Sequence, residues 1–455
     1  MNKKTTSLIF FISCFIYNTS IFAETETLKI TFSKKALQRL TTVITNLKKS
    51  YVKPLSDEKL YYDAIQGMLS NLDPHSLYFN GNISRKLGMT FNKGDVDGIG
   101  VEAIPEKETI KIIEVIENSP AEKAGIQVGD IIVKVNNKPI ADMGDMYLYK
   151  AINILYSPKG SKVTLGITRG NDKPRIFTLI CDTIKIPTVK WDLLAPNYGY
   201  IRIKLFTPNT ATELKQAVAD LKKATQNKLD GVIIDLRNNP GGSIEATVQT
   251  ADSLLDTEHL KDNKLIVYTK DRDGNIKNYF KTTKDSPLSH IPLVVLINEK
   301  SGSGAEMLAA VLQDHKQAII AGTRSYGKGS MQTKLVINDQ RNANTIDLTT
   351  DLYYTTLGRS LQAIGVIPDI IINDVEISEK HSPKKIIREE DFVNHIPNGN
   401  GDKIAYQILE NSKTQQNNEL ALAHKDYQLY EALHLLKVLN IANKQCATIL
   451  LPNKN

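Results

Sequence analysis

Cysteine is scarce in this chain of 455 residues, with only Cys14, Cys181 and Cys446 present. So few thiols exclude a disulfide-stapled scaffold. Neither they nor the 8 histidines fall in pairs with metal-ligand spacing, so no metal and no cofactor is expected. A surplus of one charge is also lacking: 57 basic against 50 acidic residues leave +7. The lysines do not gather with aromatics into a patch, which excludes nucleic acid as a partner. Internal repeats and low-complexity tracts are absent. Long apolar runs are missing too. Leu8–Ile16 is too short to span a bilayer comfortably and, preceded by Lys3 and Lys4, reads as a signal peptide cut after Ala23. Ile21, large for its place before the cut, leaves an uncleaved anchor open. Nothing after it is long and apolar enough to cross a membrane. An exported, periplasmic protein is expected, soluble or membrane-associated.

What is present is an ordinary globular composition, 41% hydrophobic and 24% charged, in a chain too long for one core. Its most informative stretch is Leu293–Gln332. Leu293-Val294-Val295-Leu296-Ile297 is a short, mostly β-branched apolar run of the kind that forms a buried strand. Ala305–Gln313 is rich in helix formers. Ser303, between Gly302 and Gly304, therefore sits on a strand-to-helix turn, at the positive end of the helix. Such a serine can simply cap the helix. It is also a suitable seat for a nucleophile, provided that a base reaches it.

The nearest histidine, His315, lies twelve residues on, roughly 18 Å along the same helix. It is too far to serve. Lys328, between Gly327 and Gly329, is the better candidate, because a lysine in a dry pocket loses pKa and accepts a proton. Gln332, four residues on, shares a face with Lys328 in an extended chain and can orient the amine. The plainer reading of Lys328 is a solvated surface residue.

With Ser301-Gly302-Ser303-Gly304-Ala305-Glu306, Gly327-Lys328-Gly329-Ser330-Met331-Gln332 and Asp235-Leu236-Arg237-Asn238-Asn239-Pro240-Gly241-Gly242 in view, the chain resembles the carboxyl-terminal processing, or tail-specific, serine proteases. In that family a serine pairs with a lysine 25 residues later, the separation of Ser303 and Lys328 here. The resemblance implies Ser303 as nucleophile, Lys328 as general base and Gln332 as its orienting partner. It also implies an oxyanion hole from Gly304 and either Gly241 or Gly242. The usual Ser-Ala-Ser-Ala-Ser-Glu is altered, Ala305 replacing only the third serine. Asp235 and Arg237 are expected to brace their loop.

The implied fold is α/β and multidomain: a mostly parallel-sheet protease core, an inserted PDZ-like β-rich domain and helical termini. The expected divisions are a signal peptide at 1–23, an N-terminal helical region at 24–93, the PDZ-like domain at 94–184, the protease core at 185–374 and a C-terminal helical region at 375–455. In the PDZ-like part, amides near Ile99, Gly100 and Val101 would hold a peptide's terminal carboxylate beside an apolar slot on the 145–156 helix. Arg169 is a candidate link to the core, or merely exposed. Leu72-Asp73-Pro74-His75-Ser76 also resembles a family sequence and reads as a structural turn.

Two rival motifs fail on context. Gly98-Ile99-Gly100 lacks a preceding strand and meets Pro105 where a dinucleotide site needs a helix. Gly322–Gly329 is one residue short of a Walker loop, with glycine where a hydroxyl should bind magnesium. The expectation is an exported serine endopeptidase acting on C-terminal tails of proteins, with dimerisation through the helical ends and an adaptor protein possible as partner. The alternative is a non-enzymatic peptide-binding scaffold or holdase.

Overall fold

The computed structural model describes residues 33–79, 95–106, 109–141, 154–170, 172–185, 187–256, 264–283, 286–337, 344–377 and 402–450, with single residues at 260, 388, 389, 393 and 396. The chain forms two compact units, 1–67 and 68–455. In the first, helix α1 (Lys34–Ser50) buries none of its side chains, and Leu37, Leu40, Val43 and Leu47 stay exposed. Asp57 and Glu58 open α2 (Asp57–Ser70), the helix end that carboxylates stabilise.

The second unit starts at Met68, in the last residues of α2, and continues with the turn at Asp73–Ser76 and the short strand β1 (Leu77–Phe79). A β-rich module follows, entered by β2 (Asp95–Gly98) and left by β9 (Asp182–Lys185), which pair with each other. Its sheet runs β3 (Val101–Glu106), β4 (Thr109–Val115), β5 (Ile131–Val135), β7 (Lys162–Thr168), β8 (Arg175–Ile180), with β6 (Lys138–Pro139) beside β5. Alternate residues such as Ile110, Ile112, Ile132 and Leu165 point inward to form one core. The short helix α3 (Pro120–Lys123) is capped by Ser119 Oγ, which accepts the Glu122 N–H at 3.2 Å. A strand thus does precede Gly98, contrary to the sequence reading, because β2 is too short and polar to be seen in the pattern. What excludes a dinucleotide loop is β3, extended where a helix would be needed. Arg169 stays within the module, its Nε donating to the buried Asp130 at 2.7 Å while its side chain is 40% exposed. A contact to the core is made by Glu114, which accepts Lys190 at 2.8 Å and also Lys204.

The core has a six-stranded sheet of order β10 (Val189–Ala195), β11 (Tyr198–Ile203), β12 (Gly231–Asp235), β15 (Leu293–Ile297), β16 (Ile319–Gly322), β19 (Ile370–Ile371). Only the β10–β11 pair is antiparallel. Strands β12 and β15 are buried along their whole length. Period two divides them: Val232, Ile234, Val295 and Ile297 pack with α4 (Thr210–Ala224), α5 (Ile244–Asp252) and α6 (Gly304–Asp314). Ile233, Val294 and Leu296 meet Leu429, Ala432, Leu433 and Leu436 on the other face. Those belong to the last helix, α8 (Tyr427–Leu450), which follows α7 (Asp402–Lys425). Covered on both faces, β12 and β15 carry near-continuous apolar runs, Val232–Ile234 and Leu293–Ile297.

A second, antiparallel sheet has the order β1, β18 (Asn344–Thr355), β13 (Leu265–Lys270), β14 (Ile276–Lys281), with β17 (Ser330–Ile337) also on β18. The β13–β14 hairpin is legible in its turn residues. The long-range pairing of β1 to β18 is not, because strands hundreds of residues apart leave no local mark. The architecture is a multidomain α/β fold, with the parallel sheet and the β-rich module as expected.

Candidate active site

Strand β15 ends at Ile297, and the chain turns through residues 298–303 into α6. Ser303 occupies the last position of this turn with φ 52° and ψ −113°, outside the regions that a side chain normally favours. Such strain persists only where the surroundings hold it. Here the loop 238–242 after β12 does so: Gly302 N–H donates to Asn239 O at 2.9 Å, and Ser301 Oγ to Leu236 O at 2.8 Å. A Cβ on Gly241 would stand 2.7 Å from the Ser303 Cβ. Both loops leave carboxyl ends of parallel strands, where open α/β sheets gather their reactive groups.

Lys328 lies between β16 and β17, and Glu306 joins its loop to Ser303. The fully buried Glu306 carboxylate accepts Ser303 N–H and Lys328 N–H on the same oxygen, each at 2.8 Å. Its other oxygen takes Ser325 Oγ at 2.6 Å and Gly327 N–H. Four donors fill the acceptor sites of one carboxylate. Tyr353 Oη adds a second tether, reaching the carbonyls of Ser303, at 3.2 Å, and of Lys328. The sequence reading assigned neither residue a role. Glu306 was visible as the third residue of a helix, where a glutamate reaches back to the cap; Tyr353 carried no signal.

Lys328 Nζ donates to Gln332 Oε1 at 2.7 Å and makes a long contact of 3.5 Å to Ser330 O. Burial pushes its pKa below the ordinary lysine value, against the carboxylates of Glu306 and Asp73. Among the described residues no hydrogen bond joins Lys328 Nζ to Ser303 Oγ, so the two are brought together through their backbones. His315 is elsewhere, its Nε2 2.7 Å from Leu265 O.

Of the glycines, Gly241 already donates its N–H to Asn239 Oδ1 at 2.8 Å. The N–H groups of Gly242 and Gly304 donate to nothing among the described residues. Gly242, at φ 141°, also has no room for a side chain, since a Cβ would meet Phe206 O at 2.2 Å. Gly242→Ala is expected to cost ~1–3 kcal/mol through backbone strain alone, measurable as a lower midpoint in thermal denaturation; an unchanged midpoint would mean that the loop relaxes freely. Asp235 and Arg237 do brace this loop, Arg237 forking onto Asp235 at 3.0 and 2.8 Å and onto Asp426 at 2.8 and 2.7 Å.

In the β-rich module, Ile99 is fully buried and its N–H is committed to Leu155 O at 3.0 Å. Gly98 and Gly100 are glycines because the protein itself crowds them: a Cβ would lie 2.6 Å from Leu155 O and 2.2 Å from Ser119 Cβ, respectively. Of the three residues expected to hold a carboxylate, Ile99 thus has no amide to offer, and Val101 pairs with Val115 in the sheet. The slot expected beside 145–156 lies largely at 142–153, outside the described residues.

Three stretches match known families: 197–372 matches peptidase family S41, 111–169 a PDZ domain, and 17–82 the N-terminal domain of the activating protease CtpB. The chain is 35% identical over 365 residues to a carboxy-terminal-processing protease of Bartonella bacilliformis, covering 80% of this chain and 81% of that one. It is 31% identical over 333 residues to the carboxy-terminal processing protease CtpA of Bacillus subtilis, covering 73% and 68%. The photosystem II D1 C-terminal processing protease is a similar solved structure, with 29% identity, TM-score 0.46 and coverage of 73% and 86%. With its strand-to-helix serine turn, its PDZ domain and this extent of identity, the chain belongs to the carboxy-terminal-processing protease family, peptidase family S41.

Proposed function

We propose that the protein is an exported, periplasmic serine endopeptidase that recognises C-terminal tails of proteins through its PDZ domain and cleaves with a Ser303–Lys328 dyad supported by Gln332. The observation that carries this reading is a half-buried lysine amine, 2.7 Å from Gln332 Oε1, on a loop that Glu306 ties to the Ser303 backbone. A neutral amine has two hydrogens and one lone pair. Gln332 Oε1 and Ser330 O engage the hydrogens, and the lone pair is left to take the Ser303 proton. Ser303 Oγ then attacks the carbonyl, and the protonated amine returns its proton to the leaving nitrogen. Water hydrolyses the resulting acyl-enzyme. The unengaged amides of Gly242 and Gly304 stabilise the oxyanion, each contributing on the order of a hundredfold in rate.

The PDZ domain holds the tail carboxylate at the Gly100 amide. The exposed apolar side chains of α1 support a further part of the reading, pairing of two copies. An adaptor protein remains a candidate partner.

The test compares two reporters that share an apolar tail, one ending in a free carboxylate and the other in an amide, with fragments read by mass spectrometry. Loss of the charge-assisted bonds should raise KM ~10-fold or more for the amidated tail while leaving kcat nearly unchanged. Equal kinetics would remove tail recognition. Tight binding of the free tail without cleavage would favour the scaffold.

A further inference from the structure

The turn at Asp73–Ser76 is hydrogen-bonded to the back of the lysine's partner. Gln332 and Thr349 are cross-strand partners on β17 and β18, and Gln332 Nε2 donates to Thr349 Oγ1 at 2.9 Å. Thr349 Oγ1 donates in turn to Asp73 Oδ1 at 3.1 Å. Asp73 is held in place by the N–H groups of His75 and Ser76, at 2.8 and 2.9 Å, and by Ser76 Oγ at 2.6 Å. Ser76 Oγ also accepts Thr349 N–H at 3.2 Å, and β1 pairs with β18 immediately beyond. An unbroken chain of hydrogen bonds thus runs from Lys328 Nζ to a carboxylate 255 positions earlier in the sequence.

The direction of this chain matters more than its length. The two ends of a glutamine amide have nearly the same shape, so only their partners decide which faces the lysine. Burial opposes a charge on Asp73, but the bonds from Ser76, His75 and Thr349 outweigh it and hold its pKa below the usual range. An ionised carboxylate only accepts, so Thr349 must spend its single proton on it. Its oxygen is then left to accept, which turns the Gln332 NH2 toward Thr349 and the Gln332 carbonyl toward Lys328. Were the amide reversed, its N–H would donate to the lysine lone pair and occupy the site needed for the serine proton.

We propose that Asp73 and Thr349 are positioning residues of the reaction, which fix the Gln332 amide so that the Lys328 lone pair stays available to Ser303. This rests on the dyad reading above and deepens it. It also gives the Leu72–Ser76 sequence a role beyond a turn.

The experiment uses the full chain and the free-tail reporter with Thr349→Val, Thr349→Ser and Asp73→Asn, beside Lys328→Ala. Thr349→Val should lower kcat ~10-fold with KM unchanged, the effect of about one hydrogen bond on the barrier. Thr349→Ser keeps the hydroxyl and should restore kcat to within about twofold. The groups facing Lys328 are Glu306 on α6, Asp73 and His75 in the turn, and Tyr353 on β18. Of these, Glu306 and, to a smaller extent, Asp73 favour the protonated amine. Asp73→Asn should therefore move the acid limb of the kcat profile to lower pH, which a merely structural turn would not do. The inference is overturned if Thr349→Val keeps wild-type kcat while Lys328→Ala is inactive, or if Thr349→Ser is as impaired as Thr349→Val. Should Thr349→Val fail to fold, the other two variants decide: the inference is then overturned if Thr349→Ser loses ~10-fold or more in kcat, or if Asp73→Asn keeps both the kcat and the acid limb of the wild type. Activity in Lys328→Ala itself would remove the dyad, and the positioning role with it.

Discussion

Ser303→Ala is expected to slow cleavage of a tailed reporter by on the order of 10⁴-fold or more, and Lys328→Ala by a similar factor. The double variant should be no worse than either single one if, as proposed, the hydroxyl and the amine act as a unit in which neither accelerates attack without the other. Lys328→Arg should not rescue, since a guanidinium stays protonated and has no lone pair to offer. The pH dependence follows from the same amine. Only its neutral form is a base, so kcat should rise with pH through the Lys328 pKa. Burial places that pKa below the value of an exposed lysine. Folding must survive the substitutions for the comparison to hold, which circular dichroism of each variant checks. Wild-type rates in either single variant would remove the dyad, and a rate that falls as pH rises would assign the base to another group.

Arg237→Ala should lower the free energy of unfolding by ~3–5 kcal/mol, the range for breaking a buried ion pair by removing one partner. The guanidinium is one-tenth exposed and forks onto two carboxylates, the fully buried Asp235 and the half-buried Asp426. Without it, both charges lose their main partner, and Asp426 no longer ties α8 to the loop that carries Gly241 and Gly242. Burial of Asp426 raises its pKa, but the bonds and charge of Arg237 more than reverse this. A carboxyl with a depressed folded-state pKa stabilises the fold above its unfolded pKa and loses that contribution as pH falls through the folded one. The wild type should therefore lose part of its stability in acid, and Arg237→Ala should lose less over the same interval. Urea unfolding at neutral and acid pH measures both. A change below about 1 kcal/mol would mean that the pair behaves as an exposed one.

The local features were readable for local reasons. A β-branched apolar run, a glycine turn and a run of helix formers specify β15, the Ser303 turn and α6 within 22 residues. The same holds for the β13–β14 hairpin and for the turn after β12. The amides behaved differently. Gly241 and Gly242 are equivalent as letters, and only the position of the Asn239 side chain distinguishes the engaged N–H from the open one. Gly98 and Gly100 were legible as places of close approach, but what approaches them is Leu155 and Ser119.

By itself the sequence determined the parallel core built on β12 and β15 and the family, and it singled out Ser303, Lys328 and Gln332 as candidates, because each is written in neighbouring residues and short spacings. Only the tertiary structure decided what those side chains meet: Glu306 joining Ser303 to Lys328, Tyr353 beneath both, and Asp73 behind Gln332. Contacts of that kind depend on strand register and on where single protons go, and a linear pattern encodes neither.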